Sequence, residues 1–441
     1  PTVTNQAIGL ETLGLEALPC YRSADELFDL IEAIQSGSAR EAGVKLLRSH
    51  VLEKHTYATR AHEFDRHLER ARKATPPTSA APTVVGFYPD YRNNPYQEMM
   101  WSRLRTHGAI PIGLGTDFDP EPLLRAAAEV RLFHLNWTAP ILGPATNEAD
   151  RLGRYRRFIA TLGSIAEANI PIIWTLHNVM PHECADPDME RRLRQEIADR
   201  ADLIHVMCER TVAEAASLYE LPRSKIRVIP HPSYVDVYPN LIDQETARYE
   251  LGLLPDEMVY LFIGQIRPYK GVDLLLDAFE RVHRHRPRSR LIIAGQPGRF
   301  PDRPEIEQRA RSHPAVLSNF NSIGDDDLQI YLNAADAVVL PYRSGLNSGA
   351  VMLAYSFARP VIVAGHGCVL DSFDETSGIM FSWDDGESAL YNAMREGERL
   401  RSEDHRRAAY RHTDGLHYLE TSVRFGELVA EAQAQRGTTT R

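Results

Sequence analysis

From Thr83 onward the chain alternates, in two successive series, between short runs of branched and aromatic residues and longer segments with apolar residues at helical spacing. The first series of candidate strands covers 84–88, 109–112, 132–136, 170–176, 203–207 and 226–229, with amphipathic segments such as 148–168 and 188–200 between them. The second series covers 259–263, 290–294, 316–323, 337–340 and 360–363. Strands separated by helix-length segments are joined by crossovers, so they lie parallel, with helices on both faces. The pattern predicts an α/β protein of two Rossmann-like, doubly wound domains. At 441 residues, 43% of them hydrophobic, the chain has the length for two or three domains with sizeable cores.

Residues 1–76 differ from this. Segments 23–35 and 39–72 are charge-rich and carry Leu27, Ile31, Leu46, Leu47 and Val51 at helical spacings, which predicts an added helical segment. Residues 77–82, rich in Pro, Ser and Thr, read as a linker. The expected division is then a first domain over 83–235, a second over 236–398 and C-terminal helices over 399–441.

Composition excludes several classes. With 50 Lys and Arg against 60 Asp and Glu, the formal charge is −10 and there is no basic tail, which argues against nucleic acid as a partner. Cys20, Cys184, Cys208 and Cys368 are scattered and form no C-x-x-C pair. That spacing suggests neither a disulfide framework nor a zinc site, and it fits a reducing, cytoplasmic setting. No apolar run approaches the roughly 18 residues needed to span a bilayer, and the N-terminus has no leader pattern, so the expected membrane relation is at most peripheral contact.

The chemistry concentrates in Val259 to Gly271, VYLFIGQIRPYKG. A buried strand, a loop from Gly264 and the start of a helix bring backbone N–H groups and the positive end of a helix to one point, where Arg267 and Lys270 add two cations. A diphosphate suits such a place, and a solvated basic turn is the plainer alternative. The basic run RVHRHRPRSR, 281–290, reads first as a solvated helix end and second as a membrane-surface patch.

The pattern G-x-I-R-P-Y-K-G-V-D-x-L-L-x-A-F resembles the first strand and loop of the nucleotide-sugar domain in GT-B glycosyltransferases of the glycogen-synthase-like, group 1 superfamily. Ala335 to Tyr342 matches that group's A-D-x-x-x-x-P-Y pattern, and Ala294-Gly295-Gln296-Pro297-Gly298 supplies a tight strand-to-loop turn. The resemblance, from about Thr83 to the C-terminus, implies two Rossmann-like domains facing a cleft, with the last helix crossing back to the first domain. It implies a diphosphate held by Arg267 and Lys270. In the loop before the helix expected at 351–358, Ser348 and Gly349 would offer N–H donors, completing a donor site with Gly264 and Gly295. The group's paired glutamates, E-x7-E, fall here on Gly345 and Leu353, so their sugar contacts do not carry over. Thr175-Leu176-His177-Asn178 resembles the T-x-H-[DN] motif that sets a His beside the donor sugar; a structural strand-end His is the alternative. His177, His182 and Cys184 do not have metal-ligand spacing.

For the acceptor, the loop after the first strand offers Asp90, Tyr91, Asn94 and Tyr96, although a turn with a helix cap reads equally well. His134 ends a strand on the same edge, and either His134 or Asp90 could act as base. The expected enzyme is a hexosyltransferase that needs neither metal nor cofactor. It would move a sugar from a nucleoside diphosphate to a glycan or lipid-linked acceptor in bacterial polysaccharide or glycoconjugate synthesis. The alternatives are a non-hydrolysing nucleotide-sugar epimerase and a non-catalytic nucleotide-binding module of a fused synthase. His55-Thr56-Tyr57-Ala58-Thr59-Arg60 resembles the tail of another bacterial glycosyltransferase, which implies fusion to a second transferase module.

Overall fold

A computed structural model describes residues 4–5, 20–21, 82–91, 94–115, 131–181, 184–346, 349–386 and 388–437. The chain divides into two compact units, Pro1–Ala80 and Ala81–Arg441. In the first, Thr4–Asn5 pairs in parallel with Cys20–Tyr21. The helices expected over 23–72 and the His55 to Arg60 motif lie outside the described residues.

The second unit holds two six-stranded parallel sheets. The first comprises β1 (Thr83–Tyr88), β2 (Ala109–Gly113), β3 (Arg131–Leu135), β4 (Ile172–Thr175), β5 (Leu203–Val206) and β6 (Ile226–Val228) in the order β2-β1-β3-β4-β5-β6. The second comprises β7 (Met258–Ile263), β8 (Ser289–Ala294), β9 (Val316–Asn319), β10 (Ala337–Leu340), β11 (Val361–Ala364) and β12 (Gly378–Phe381) in the order β9-β8-β7-β10-β11-β12. Strand β12 was not expected from the sequence. Its four residues, GIMF, are too few to stand out, and its register comes from pairing with β11.

Each order reverses once, between β1 and β3 in the first sheet and between β7 and β10 in the second. At such a reversal the connections leave in opposite directions and open a crevice beyond the strands' carboxyl ends. The fold therefore nominates two loop clusters, at Pro89 to Tyr91 with Asn136 to Thr138, and at Gly264 to Gly271 with Pro341 to Leu346.

The helices that position these loops have local causes. Helix α1 (Pro95–Trp101) begins with Pro and is capped by Asn94, and α2 (Glu148–Glu167) is capped by Asn147. Helix α3 (Pro187–Arg200) is capped by Asp186. Helix α4 (Val272–His285) buries Val272, Leu275, Leu276, Phe279 and Val282, a stripe at helical spacing. Helix α5 (Gly349–Ser356) links β10 to β11.

The last helix, α6 (Tyr418–Gly437), returns to the first sheet. Phe425, Leu428, Val429 and Ala432 are buried against Val85, Leu132, Ile173 and Leu203. Arg436 forks onto Asp202 at 2.7 and 3.0 Å, and the Ser422 hydroxyl bonds to the Met100 carbonyl at 2.7 Å. Phe425→Ala removes a fully buried ring from this seam and is expected to cost about 3–5 kcal/mol in chemical denaturation. A loss under about 1 kcal/mol would mean that α6 is not a structural part of the first sheet.

In the run 281–290 the arginines engage neighbours within the second sheet's own half. Arg281 lies 4.1 Å from the centre of the Tyr391 ring, Arg290 pairs with Glu257 at 2.6 Å, and Arg288 pairs with Asp256. Among the described residues, no helix is long and apolar enough to cross a membrane.

Candidate active site

Strand β7 is buried along its whole length and delivers the chain to Gly264 at φ +121°. Residues Pro268–Lys270 make one 3-10 turn, and Gly271, at φ +67°, swings the backbone into α4. A Cβ on Gly271 would lie 2.2 Å from the Pro341 carbonyl oxygen, so the β7 and β10 loops touch where glycine alone fits. Gly295, at φ +140°, packs equally closely on Gly264, and the Arg267 side chain lies along Gly298.

Lys270 is pressed into this corner. Its Nζ lies 5.3 Å from the centre of the Tyr342 ring and 6.0 Å from that of Tyr269. Burial, helped by the Arg267 charge, pulls its ammonium down to about 8. Arg343 clips the corner together: it donates to the Pro268 carbonyl at 2.6 Å and forks onto Asp273 at 3.0 and 2.5 Å. The Tyr342 carbonyl also accepts from Trp383 Nε1 at 2.9 Å.

The first sheet contributes an aromatic box. Trp137 and His177 stack with centres 4.2 Å apart and planes 13° from parallel. Tyr96 meets the His177 ring edge-on at 4.9 Å and the His231 ring at 5.2 Å, and Tyr91 lies 5.3 Å from Trp137. Burial drives the pKa of His177 well below the usual histidine range and that of His231 to about 4, so both are neutral near pH 7. His231 Nδ1 donates to the Pro232 carbonyl at 2.7 Å, which leaves Nε2 as an acceptor. That atom faces α5: a Cβ on Gly349 would lie 3.3 Å from it and 3.0 Å from the Tyr234 hydroxyl. The box of the first half thus meets the helix that follows the β10 loop of the second.

Several expected acceptor residues prove to be structural. His134 is buried, 1% exposed, with Nε2 2.8 Å from the Thr175 hydroxyl, which lies 3.0 Å from His205 Nδ1; His205 Nε2 lies 2.9 Å from the Ile229 carbonyl. The carbonyl fixes the direction of this chain: His205 donates to Ile229, Thr175 to His205, and His134 to Thr175. His134 also packs on Phe425 at 4.8 Å, so it belongs to the core under α6 rather than to an acceptor surface or to base chemistry. The strand's alternation was legible, but the helix that covers it arrives from almost 300 residues away. Asn94 is a cap, its Oδ1 accepting from the Tyr96 N–H at 3.1 Å, as the plainer alternative had it. The Asp90 carboxylate lies over Gly113 at the end of β2. Tyr96 is 3% exposed and acts as a wall of the box. Ser348 and His182 lie outside the described residues.

The buried histidines carry a pH consequence. Burial, with His205 nearby, holds His134 down to about 3, and burial holds His205 at about 4. Below about pH 6.5 the unfolded chain therefore binds protons that the folded one does not. Stability is expected to be full above pH 6.5 and to fall on acidification by up to about 1.4 kcal/mol per pH unit for each such histidine. Denaturation midpoints from pH 7 to 4.5 check this, and a flat profile would contradict it.

Sequence reasoning also left out residues that the structure brings to the site. Trp137 and His231 carry no motif of their own, and their stacking partners come from other strands. Cys208, after β5, and Cys368, after β11, form a disulfide with Cα atoms 5.6 Å apart. This corrects the expectation of unpaired cysteines: 160 residues separate the two in the chain, and only the facing of two strand ends joins them. Leu353, at the second glutamate position, packs on the core of the second half.

Known proteins match both halves. Residues 257–397 match the family described as Glycosyl transferases group 1, and residues 153–233 match Glycosyltransferase Family 4. A GDP-mannose:glycolipid 4-beta-D-mannosyltransferase of Xanthomonas campestris is 27% identical over 290 residues, 64% of this chain and 74% of that protein. A D-inositol 3-phosphate glycosyltransferase of Segniliparus rotundus is 28% identical over 250 residues, covering 53% of this chain and 55% of that one. Among solved structures, HepE of Anabaena in complex with UDP and glucose shares 14% identity at a TM-score of 0.59, covering 79% of this chain and 100% of its own. Sucrose-phosphate synthase from Thermosynechococcus elongatus shares 15% at a TM-score of 0.60, covering 80% and 100%. With one glycosyltransferase family match on each half, and the full length of both solved chains superposing on the pair of sheets, the chain carries group 1 glycosyltransferase domains on a GT-B fold.

Proposed function

We propose that the chain transfers a hexosyl unit from a nucleoside-diphosphate sugar to a glycan or lipid-linked acceptor, and that Arg267 and Lys270 neutralise the departing diphosphate. The observation that carries this reading is the position of both cations in the loop at the second sheet's switch point, where a half-buried ammonium needs an anion to offset its desolvation. In the step itself, the bond from the sugar's anomeric carbon to the diphosphate oxygen breaks. A bond to the acceptor oxygen forms, and the acceptor proton leaves with a base or with the departing phosphate. Negative charge grows on the diphosphate, and two fixed cations stabilise it most at that moment.

These side chains supply charge that a divalent ion could otherwise bring, so turnover is expected to survive EDTA. The neutral His177, braced by Trp137, can offer the sugar a hydrogen bond without repelling a cationic transition state. The mannosyltransferase relative acts, by its name, on a glycolipid, which supports an acceptor of that class here.

The absence of a carboxylate at Gly345 and Leu353 favours a second reading, a module that binds nucleotide without transfer. One experiment separates the two. UDP, GDP, ADP and dTDP are ranked by thermal shift, and the matching sugar donors are then followed for acceptor-stimulated release of nucleotide. Stabilisation by one diphosphate together with acceptor-dependent release supports transfer. Binding without release supports the module, and no shift with any of the four overturns both.

A further inference from the structure

The Cys208–Cys368 disulfide joins the first sheet to a loop that is itself sewn to the candidate donor site. Cys368 N–H donates to the Leu346 carbonyl at 2.7 Å, and a Cβ on its neighbour Gly367, at φ +56°, would lie 2.3 Å from that same oxygen. His366 places Nδ1 2.9 Å from the Gly345 carbonyl and Nε2 3.1 Å from the Tyr342 carbonyl. One covalent bond from the end of β5 to Cys368 is therefore continued by hydrogen bonds to the segment Tyr342 to Leu346, whose first ring flanks Lys270. Beside it, Arg210 pairs with Asp371 at 3.0 Å.

Both sulfurs line a cavity of about 670 Å3 between the halves, walled by Met207 and Pro230 on one side and Met352 and Val369 on the other. A small thiol can enter a space of that size. The Thr211 hydroxyl lies 3.5 Å from Cys208 Sγ and 3.9 Å from Cys368 Sγ, close enough to donate to a thiolate released there.

We propose that this pair is a thiol–disulfide exchange site that sets how freely the two halves open. The reductant is a small monothiol of the glutathione class. Its thiolate attacks one sulfur, the Cys208–Cys368 bond breaks, and a second thiol resolves the mixed disulfide. Two external thiols become one external disulfide and the two cysteines become thiols, a transfer of two electrons and two protons to the protein. While the bond is intact, the two Cα atoms stay within about 7 Å, so the halves can only pivot around it. Once it is cut, those loops keep only non-covalent contacts, among them the half-exposed Arg210–Asp371 pair and the Glu214 carboxylate on the Gly367 N–H, and interdomain motion is the default for surfaces of this kind. Pairs that respond to thiols in this way are the usual form of disulfide wherever thiols are abundant.

The test uses the full chain equilibrated with oxidised or with reduced glutathione. Peptide mapping after alkylation is expected to find a Cys208–Cys368 cross-linked peptide only in the oxidised sample. Amide hydrogen exchange over 342–346 and 364–371 is expected to speed at least about fivefold on reduction, the lower end of typical coupling between sites. The Cys208→Ser/Cys368→Ser variant should match the reduced chain; if it fails to fold, reduced wild type serves as the same comparison. Absence of the cross-link, or equal exchange in the two states, overturns the proposal. Neither readout depends on nucleotide, so UDP or GDP binding that fails in both states counts against the proposed function alone.

Discussion

Arg267→Ala is expected to lower kcat by about 10²–10³, the cost of removing one fixed donor from a site where negative charge develops. Lys270→Ala should lose a similar factor, and the double variant less than the product, because both cations act on one leaving group. Donor turnover at saturating acceptor, with nucleotide release as readout, checks this. Unchanged turnover in the double variant would remove both residues from the mechanism.

Lys270 adds a test that arginine cannot supply. Its ammonium stands at about 8 in the free protein, lowered from 10.5 by burial and by Arg267. A base with a lowered folded pKa is protonated more in the unfolded chain between about 8 and 10.5, so this residue makes the free protein more stable as pH rises through that window. Diphosphate binding favours the charged form and should draw a proton onto Lys270. Binding of the nucleoside diphosphate is therefore expected to take up protons near pH 8.5 and to weaken above it. Calorimetry in buffers of different ionisation enthalpy measures the uptake, which should vanish in Lys270→Met.

The second large effect is expected at Gly271. Alanine there meets a left-handed backbone, worth about 1–2 kcal/mol, and a carbonyl 2.2 Å from its Cβ, so the β7 and β10 loops must part. A displacement of about 1 Å at a reacting centre can cost about 10²-fold in rate, and kcat/KM should fall by that order. Gly252 supplies the control, since it has the same φ of +67° but nothing within 4 Å of an added Cβ. Gly252→Ala should show the conformational loss in stability with transfer unchanged. If Gly271→Ala behaves as Gly252→Ala does, the contact between the two loops has no bearing on activity.

Much of this architecture was legible beforehand, for a physical reason. Strands such as Met258–Ile263 are covered on both faces and must be apolar throughout, while α4 shows one face to solvent and must repeat at helical spacing. Both constraints are local, so they are written in consecutive residues. The loop from Gly264 to Gly271 was legible likewise, because left-handed turns demand glycine and cations near a helix start stand out. What failed was judged by neighbours that the chain brings from afar. His134 read as a strand-end base and is a core residue, because Phe425 of α6 and the Thr175–His205 chain close over it. Asn94 had two local readings, acceptor contact or helix cap, and the bond from the Tyr96 N–H makes it the cap.

The sequence by itself determined the two α/β halves, the glycine-hinged cationic loop and the glycosyltransferase resemblance, since each rests on hydrophobic period, turn chemistry or a contiguous motif. Tertiary structure alone decided the strand orders that set the two switch points, the stacking of Trp137 on His177 against His231, and the pairing of Cys208 with Cys368. Those are contacts between residues tens to hundreds of positions apart. No local preference encodes them, and they exist only once loop closure has been offset by the packing of whole sheets and helices.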